Sequence, residues 1–415
     1  MDTGTAIFVF LLGAAALGYG AYHSGRGWAV AVETAGTRLH SRPNQYGWYL
    51  ASWGVVPALI FVVIAVFVQL FGWARPPGYT VLLAAGAIGV AGVFWSRRQL
   101  RPMLRARNAL DRLVRWTLLA AGLVSIFTTF GIILSILFES LRFFNLVSLW
   151  EFITGTDWSP GAAFLEAAGR EGDAASKASF GSVPLFAGTF MITVIAMCVA
   201  MPIGLLSAIY MAEYASPRVR GIAKPTLEVL AGIPTVVYGF FAALTVAPFV
   251  VDVAGWFGLD ASYNSALAAG LVMGVMIIPF ISSLSDDVIN SVPNAMREGS
   301  YALGTTRSET IRQILLPAAM PGIISAFLLA VSRALGETMI VVMAAGLRPN
   351  LTLNPLEDMT TVTVRIVAAL TGDTAFDSAE TLSAFALGLV LFIITLALNL
   401  VSTIMVRRFR KKYSA

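Results

Sequence analysis

Residues 186–211 read FAGTFMITVIAMCVAMPIGLLSAIYM, a run without a charged side chain. A helix needs about 20 apolar residues to cross the hydrocarbon core of a bilayer, so this stretch predicts a membrane span. Similar runs recur along the chain, and none alternates in polarity as a barrel strand would. The sequence predicts an all-α integral membrane protein with about nine spans, at residues 5–22, 53–72, 79–95, 117–138, 186–211, 226–250, 264–285, 318–346 and 382–405.

The composition agrees with a membrane protein and excludes several other classes. Apolar residues make up 57% of the chain and charged residues 12%, whereas a soluble domain is about 25% charged. Cys198 is the only cysteine, which excludes a disulfide framework. The two histidines, His23 and His40, share one polar stretch, and no metal site or set of catalytic residues is predicted.

The distribution of basic residues between the loops predicts the orientation. If the C-terminus is cytoplasmic, 21 of the 28 lysines and arginines fall in cytoplasmic loops and 6 in outer loops, as the positive-inside rule requires. The N-terminus is then periplasmic. Residues 5–22 follow Asp2 and precede Arg26, the charge order of a retained anchor rather than of a cleaved signal peptide. The predicted location is the bacterial inner membrane, crossed several times.

A basic stretch, residues 97–107, separates three N-terminal spans from the six that follow. It predicts a cytoplasmic linker that fixes the topology and contacts anionic lipid head groups. Nucleic-acid binding is disfavoured because no aromatic residue lies between the arginines. We therefore divide the chain into an accessory membrane segment, residues 1–112, to which the sequence assigns no role, and a six-span core, residues 113–415.

The loop between the seventh and eighth predicted spans, residues 286–317, carries the most specific local signals. One short helix is predicted to end before Gly304, where a helix C-terminus favours a residue without a β-carbon. Thr306 and Glu309 have the spacing of a capping box that begins a second helix, and Pro317 is predicted to help end it. The prediction is a rigid bent element on the cytoplasmic side; the alternative is an ordinary amphipathic loop.

The same loop resembles the EAA loop of permeases of ATP-binding cassette (ABC) importers. In that family Glu-Ala-Ala is followed after three residues by Gly, and after nine more by Ile-x-Leu-Pro. The spacing matches throughout, with two small residues in place of the alanines. The matching positions are Glu298, Gly299, Ser300, Gly304, Ile314, Leu316 and Pro317. The resemblance implies that this coupling loop docks into a cleft of an ATP-hydrolysing subunit and passes its motion to the membrane helices.

The chain contains no G-x-x-x-x-G-K-[ST] sequence and therefore no P-loop for ATP. Together with the resemblance, this implies a transporter subunit rather than an enzyme. Mg-ATP is then used by a partner subunit, and this chain binds no cofactor.

The eighth predicted span contains Arg333, Glu337 and Thr338. An arginine at a helix centre costs about 2.5–3.5 kcal/mol on insertion scales, so such charges are seldom incidental. Arg333 and Glu337 are four residues apart, which places them on one face of a continuous helix. They could line a watery substrate path, in which the guanidinium suits an oxyanion. The alternative is an internal ion pair that only positions helices.

The sixth predicted span contains a helix-breaking signature formed by Gly232, Pro234, Tyr238 and Gly239. Gly and Pro interrupt a helix and free backbone groups, which must then face protein or a polar cavity. Glu228, near the predicted cytoplasmic end, is interpreted as an anchor of this helix rather than as a substrate contact.

Both intramembrane segments resemble the C-type permease subunit of the bacterial high-affinity phosphate importer, the Pst system. So does Phe152-x-x-Gly155-x-x-Trp158-Ser159-Pro160 in an outer loop. The resemblance covers about residues 117–410 and makes residues 113–415 a type I permease domain that translocates inorganic phosphate. It implies a sister A-type permease, a dimer of cytoplasmic ATP-binding subunits and a periplasmic phosphate-binding protein as partners. The alternatives are a permease for another small oxyanion, such as sulfate or molybdate, and an ATP-independent secondary transporter.

Overall fold

The structure, a computed structural model, describes residues 3–70, 77–160, 179–372 and 377–413. In chain order its elements are α1 (Thr3–Thr34), α2 (Pro43–Leu70), α3 (Gly78–Arg98), α4 (Ala106–Phe144), α5 (Leu149–Thr154), β1 (Trp158–Ser159), β2 (Ser179–Phe180), α6 (Val183–Ile209), α7 (Pro217–Ala231), α8 (Thr235–Phe241), α9 (Ala247–Trp256), α10 (Ala266–Asn290), α11 (Asn294–Ala302), α12 (Arg307–Thr310), α13 (Leu316–Leu335), α14 (Met339–Ala344), α15 (Val362–Thr371) and α16 (Ala379–Tyr413). Short π-helical turns continue α6, join α8 to α9 and join α12 to α13.

Eight helical stretches within the described ranges are long and apolar enough to cross a membrane. They correspond to eight of the nine predicted spans. The ninth, predicted at residues 5–22, lies in α1, a helix of 32 residues. The last two residues of the span predicted at 53–72 fall outside the described ranges. The all-α membrane fold is confirmed, and the described helices are consistent with about nine spans.

The chain divides into two compact units, Met1–Phe130 and Gly131–Ala415. In the first unit α1, α2 and α3 pack around a core that includes Tyr46, Tyr49 and Leu50. A β-carbon added to Gly92 of α3 would lie 2.1 Å from the carbonyl oxygen of Trp53 on α2. Only glycine permits that approach, which is how membrane helices pack in the absence of a large apolar driving force.

The boundary between the two units falls within α4. No residue in the most apolar 18-residue window of this helix is buried by the rest of the chain. Its apolar surface is therefore free to face lipid or another protein.

The second unit is built around α10, which is the most buried of the candidate spans. Met273 and Ile277 of α10 share a core with Ile192 of α6, Ala330 of α13 and Ile340 of α14. These packed helices position the cytoplasmic loop and the charged residues discussed below.

The outer-loop motif has a structural role in this chain. Phe152 is fully buried, and the ring of Trp158 meets that of Phe180 at 5.8 Å in an edge-on contact. Trp158 and Phe180 are also paired across the antiparallel β1–β2 hairpin. The Ser182 hydroxyl donates to the carbonyl oxygen of Phe152 at 2.7 Å. These contacts hold Phe152 and Trp158 against Phe180 and Ser182, which directly precede α6.

The span predicted at 226–250 is wrong at its N-terminal side. Helix α7 ends at Ala231, and the next helix begins only at Thr235. Pro234 has no N–H to continue the helical bonding, which forces the break. The Tyr238 hydroxyl donates to the carbonyl oxygen of Leu230 at 3.0 Å and so bonds across the break to the end of α7.

Candidate functional site

The bent element predicted in the cytoplasmic loop is present in residues 294–310. Helix α11 ends at Ala302, and Gly304 follows with a φ of +81°, a conformation that a β-carbon disfavours. The backbone N–H of Thr306 donates to Glu309 Oε2 at 2.8 Å, and that of Glu309 donates to Thr306 Oγ1 at 3.4 Å. The glycine turn and the capping box are confirmed.

The predicted end of the second helix at Pro317 is wrong. The helix continues without interruption from Arg307 to Leu335. A π-helical turn, Ile311–Leu315, directly precedes the proline, and the N–H of Leu316 donates to the carbonyl of Ile311. The wider π turn changes which backbone groups are hydrogen-bonded to each other. Pro317 therefore lies in the first turn of α13, where a residue without an N–H is tolerated. The bent element is therefore continuous with a membrane span.

Three hydroxyl groups close the inside of the bend. Ser300 Oγ lies 2.6 Å from Thr305 Oγ1 and 2.9 Å from Thr310 Oγ1, and the two threonine oxygens are 2.9 Å apart. Ser300 and Thr310 are buried. Ser300 stands where the EAA pattern has its second alanine, so this departure adds a hydrogen-bonded connection between α11 and α12.

The outer face of the bend remains available to a partner. Glu298 is exposed and makes no hydrogen bond or ion pair with any described residue. Leu303, at the tip, is 86% exposed. An exposed carboxylate and an exposed leucine on one bend are suitable for docking another protein.

An ion pair that the sequence analysis did not single out attaches the bent element to α6. The guanidinium of Arg297 lies 3.0 Å from Glu213 Oε1, and the two side chains are only 14% and 7% exposed. Arg297 also donates to the backbone carbonyls of Ile289 and Val292, at 2.8 and 2.7 Å. Glu213 lies in the π turn that ends the α6 span, so this contact joins two membrane helices through the loop.

A second ionic cluster attaches the amphipathic helix α7 to the end of α10. Asp286 is fully buried and accepts from Arg220 at 2.9 Å and from Lys224 at 3.1 Å. Asn290 Nδ2 donates to the same carboxylate at 2.8 Å. The hydrogen bond to Asp286 raises the pKa of Lys224 above its ordinary value, so Lys224 keeps its charge throughout the physiological pH range.

Arg333 lines a cavity of about 310 Å³ between α7, α10 and α13. Its guanidinium carbon lies 5.7 Å from the centre of the Phe280 ring, within the range of a cation–π contact. Among the described residues Arg333 forms no ion pair. The other polar or charged residues that line this cavity are Lys224, Glu228, Ser283 and Asp286. Glu228, predicted to be only an anchor, therefore lies in the same cavity as Arg333.

The prediction that Arg333 and Glu337 share a helix face is wrong. Helix α13 ends at Leu335, and Gly336 follows as its C-cap. The Glu337 carboxylate instead accepts the backbone N–H groups of Met339 and Ile340, at 3.1 and 3.4 Å. A carboxylate is favoured at the first turn of a helix by these free N–H groups, so Glu337 caps α14. Thr338 lies beside it, with its hydroxyl donating to the Gly336 carbonyl at 3.2 Å.

The two intramembrane signatures meet in the fold. A β-carbon on Gly239 of α8 would lie 2.9 Å from Met343 Cβ on α14, so these two short helices are in close contact. Gly239 of the helix-breaking signature thus packs against α14, the helix that Glu337 caps, while Arg333 lines the cavity.

Within the described residues no group of three or more His, Cys, Asp or Glu side chains could hold a metal ion.

A comparison with protein families decides the class of this chain. The family described as the binding-protein-dependent transport system inner membrane component matches residues 200–414, which include the bent element and the cavity lined by Arg333. This match takes in more than half of the chain. The chain belongs to this permease family. A second family, described as a phosphate ATP-binding cassette transporter, matches residues 9–72, a range that includes most of α1 and all of α2.

Curated relatives agree with this assignment. A probable ABC transporter permease protein, YqgH of Bacillus subtilis, is 34% identical over 68% of this chain and 86% of its own length. The phosphate transport system permease protein PstC 1 of Mycobacterium tuberculosis is 35% identical over 62% of this chain and 81% of its own. PstC of Mesorhizobium japonicum is 28% identical over 74% and 92%.

The permease is thus a multi-pass membrane protein and not an enzyme. In this family ATP hydrolysis belongs to separate ATP-binding subunits, and a substrate-binding protein delivers the cargo. The residues assigned above to coupling and to the substrate path keep those roles as predictions.

Proposed function

We propose that the permease carries inorganic phosphate across the inner membrane as one subunit of an ATP-driven importer. The observation that carries the proposal is Arg333, a guanidinium without an ionic partner among the described residues, in a cavity lined by three membrane-associated helices. Its planar donors match the oxygens of a tetrahedral oxyanion. The phosphate transport permeases among the relatives, and the phosphate transporter family matched at residues 9–72, favour phosphate over sulfate or molybdate.

The charges around the cavity suit the passage of an anion rather than its tight binding. A translocation path must bind its ion strongly enough to admit it and weakly enough to release it. Arg333 supplies attraction, while the carboxylate of Glu228 lines the same cavity and limits how tightly an anion is held.

The bent element is the proposed docking site for the ATP-binding subunit. Motion imposed on residues 294–310 passes directly into the helix Arg307–Leu335, which has 29 residues and extends about 40 Å. Arg333 lies in the last turn of that helix. The further partners proposed are a sister A-type permease, a second ATP-binding subunit and a periplasmic phosphate-binding protein. The N-terminus is proposed to be periplasmic and the C-terminus cytoplasmic.

Uptake of radiolabelled phosphate into vesicles that hold the permease with its partners tests the proposed function. We expect uptake that needs ATP and that a large excess of sulfate or molybdate does not reduce. Equal competition by another oxyanion would overturn the assignment of phosphate. Uptake without the ATP-binding subunit would instead indicate a secondary transporter.

Gly304→Ala is expected to weaken docking of the ATP-binding subunit. A residue with a β-carbon at φ of +81° is strained by about 1–2 kcal/mol, so the bend should open. Gly299 offers a matched control, because it lies in helix α11 and a β-carbon there would meet nothing within 4 Å. Gly299→Ala should stabilise α11 by about 0.5–1 kcal/mol and leave docking unchanged. The measurement is the amount of ATP-binding subunit that co-purifies with each variant; equal retention by both would count against docking through this bend.

A further inference from the structure

Two loops of the N-terminal unit are fastened together at one end of its helices. The Tyr46 hydroxyl donates to the carbonyls of Pro102 and Leu104, at 3.0 and 3.1 Å. The backbone N–H of His40 donates to the Pro102 carbonyl at 3.0 Å, and that of Arg107 donates to Ser41 Oγ at 3.4 Å. The loop between α1 and α2 and the loop between α3 and α4 therefore form one continuous surface.

This surface, which we call the basic surface, is dominated by arginine. All of its arginines are exposed: Arg38, Arg42, Arg97, Arg98, Arg101, Arg105 and Arg107. The acidic groups nearby are Glu33, at the end of α1, and Asp111, which lies 4.0 Å from Arg107 in a highly exposed pair. Such a pair binds weakly, so the surface keeps a strong positive potential.

Large apolar side chains are exposed among these arginines. Met103, between Arg101 and Arg105, is 75% exposed. Trp95 precedes the arginines at the end of α3, and Trp116 follows on α4; both are exposed. The guanidinium of Arg98 lies 4.3 Å from the centre of the Phe94 ring. Tryptophan is enriched where a membrane meets water, because its ring is amphipathic.

We propose that the basic surface binds the head groups of anionic phospholipids in the adjacent leaflet. Arginine forks pair with phosphate oxygens in two-point contacts, and each basic side chain near an anionic membrane contributes attraction. Met103 and Trp95 insert at the level of the head groups while the arginines hold the phosphates. An acidic protein partner would satisfy the charges but would leave no reason for a membrane-interface tryptophan at each end of the surface. This gives residues 1–112 a function: they anchor the permease to anionic lipid.

The experiment uses the full-length permease, purified in mild detergent from an equimolar mixture of phosphatidylglycerol and phosphatidylcholine. Mass spectrometry of the retained lipids measures the preference for the anionic species. We expect wild type to retain phosphatidylglycerol preferentially. Arg101→Gln together with Arg105→Gln should lower that preference by about fivefold for each arginine removed. Neither side chain makes a hydrogen bond or ion pair with a described residue, so folding should be unaffected.

Two controls separate charge from other effects. The double variant Arg101→Lys with Arg105→Lys keeps both charges and should retain most of the preference for phosphatidylglycerol. Arg348→Gln removes an exposed arginine of the second unit and should leave that preference unchanged. The proposal is overturned if the double glutamine variant retains as much phosphatidylglycerol as wild type. It is equally overturned if free inorganic phosphate or polyglutamate displaces the lipid, since the surface would then be a site for phosphate or for an acidic protein.

Discussion

Arg333→Gln is expected to abolish phosphate uptake while the assembled complex remains in the membrane. Arg333 makes no ion pair with any described residue and lines the cavity between α7, α10 and α13, so its charge is available to the substrate. A hydrogen bond to a charged group contributes about 1.5–3 kcal/mol, and a guanidinium makes two such bonds with one oxyanion. Their loss predicts a fall in uptake of about 100-fold or more. Arg333→Lys keeps the charge but not the fork and should retain part of the activity.

Two further variants separate substrate contact from a structural role for Arg333. If Arg333 only balanced the nearby carboxylate, then Glu228→Gln would be as damaging as Arg333→Gln. We expect Glu228→Gln to retain uptake, because the amide still fills the cavity wall and removes no positive charge. Arg348→Gln, at an exposed position outside the cavity, controls for the loss of one charge. Normal uptake by Arg333→Gln in an intact complex would remove this arginine from the mechanism.

Glu213→Gln and Arg297→Met, each alone, are expected to lower the free energy of unfolding by about 3–5 kcal/mol, because each leaves the other charge buried without its partner. The pair is nearly buried, and Arg297 also donates to the carbonyls of Ile289 and Val292, at and just after the end of α10. In the assembled importer each variant should also transport less phosphate per ATP hydrolysed by the ATP-binding subunits, because the bent element is no longer fixed to the α6 span. Thermal unfolding of the purified permease and the ratio of transport to hydrolysis measure the two effects.

The double variant Glu213→Met with Arg297→Met provides the internal test. Replacing both charges by apolar side chains of similar size is often nearly neutral for stability, so it should unfold closer to wild type than either single variant. Asp111→Asn breaks the exposed pair with Arg107 and should cost less than about 1 kcal/mol. Single variants that unfold like wild type would show that the Arg297–Glu213 contact does not hold the loop.

The structural features that were predicted correctly depend on residues close together in the chain. Gly304 was identified because a helix that ends there needs a left-handed residue, and Thr306 with Glu309 because a capping box spans only three residues. The error at Pro317 has the opposite origin. A single π turn upstream of the proline accommodates it, and local propensity does not reveal that turn because packing of the span selects it.

The charged contacts could not be assigned in advance. Glu213 lies at the end of an apolar run, and Arg297 precedes Glu298 of the EAA-like loop. The two residues of this ion pair are 84 residues apart in the chain. Asp286 and Arg220 are 66 residues apart. Each charge had several possible partners along the chain. The wrong prediction for Glu337 has the same cause. The four-residue spacing places Glu337 on the helix face of Arg333, but the helix ends at Gly336, between the two residues.

The sequence by itself determined that this chain lies in a membrane, where most of its spans fall and that the cytoplasmic loop bends at Gly304. These follow from apolar length, capping and backbone sterics, which act within a few residues. Only the tertiary structure decided that the bend continues into the helix bearing Arg333, that Glu213 fastens it, and that Glu228 shares the cavity of Arg333. Those relations depend on which distant helices pack together, because a charge removed from water takes the partner that the fold brings within hydrogen-bonding distance.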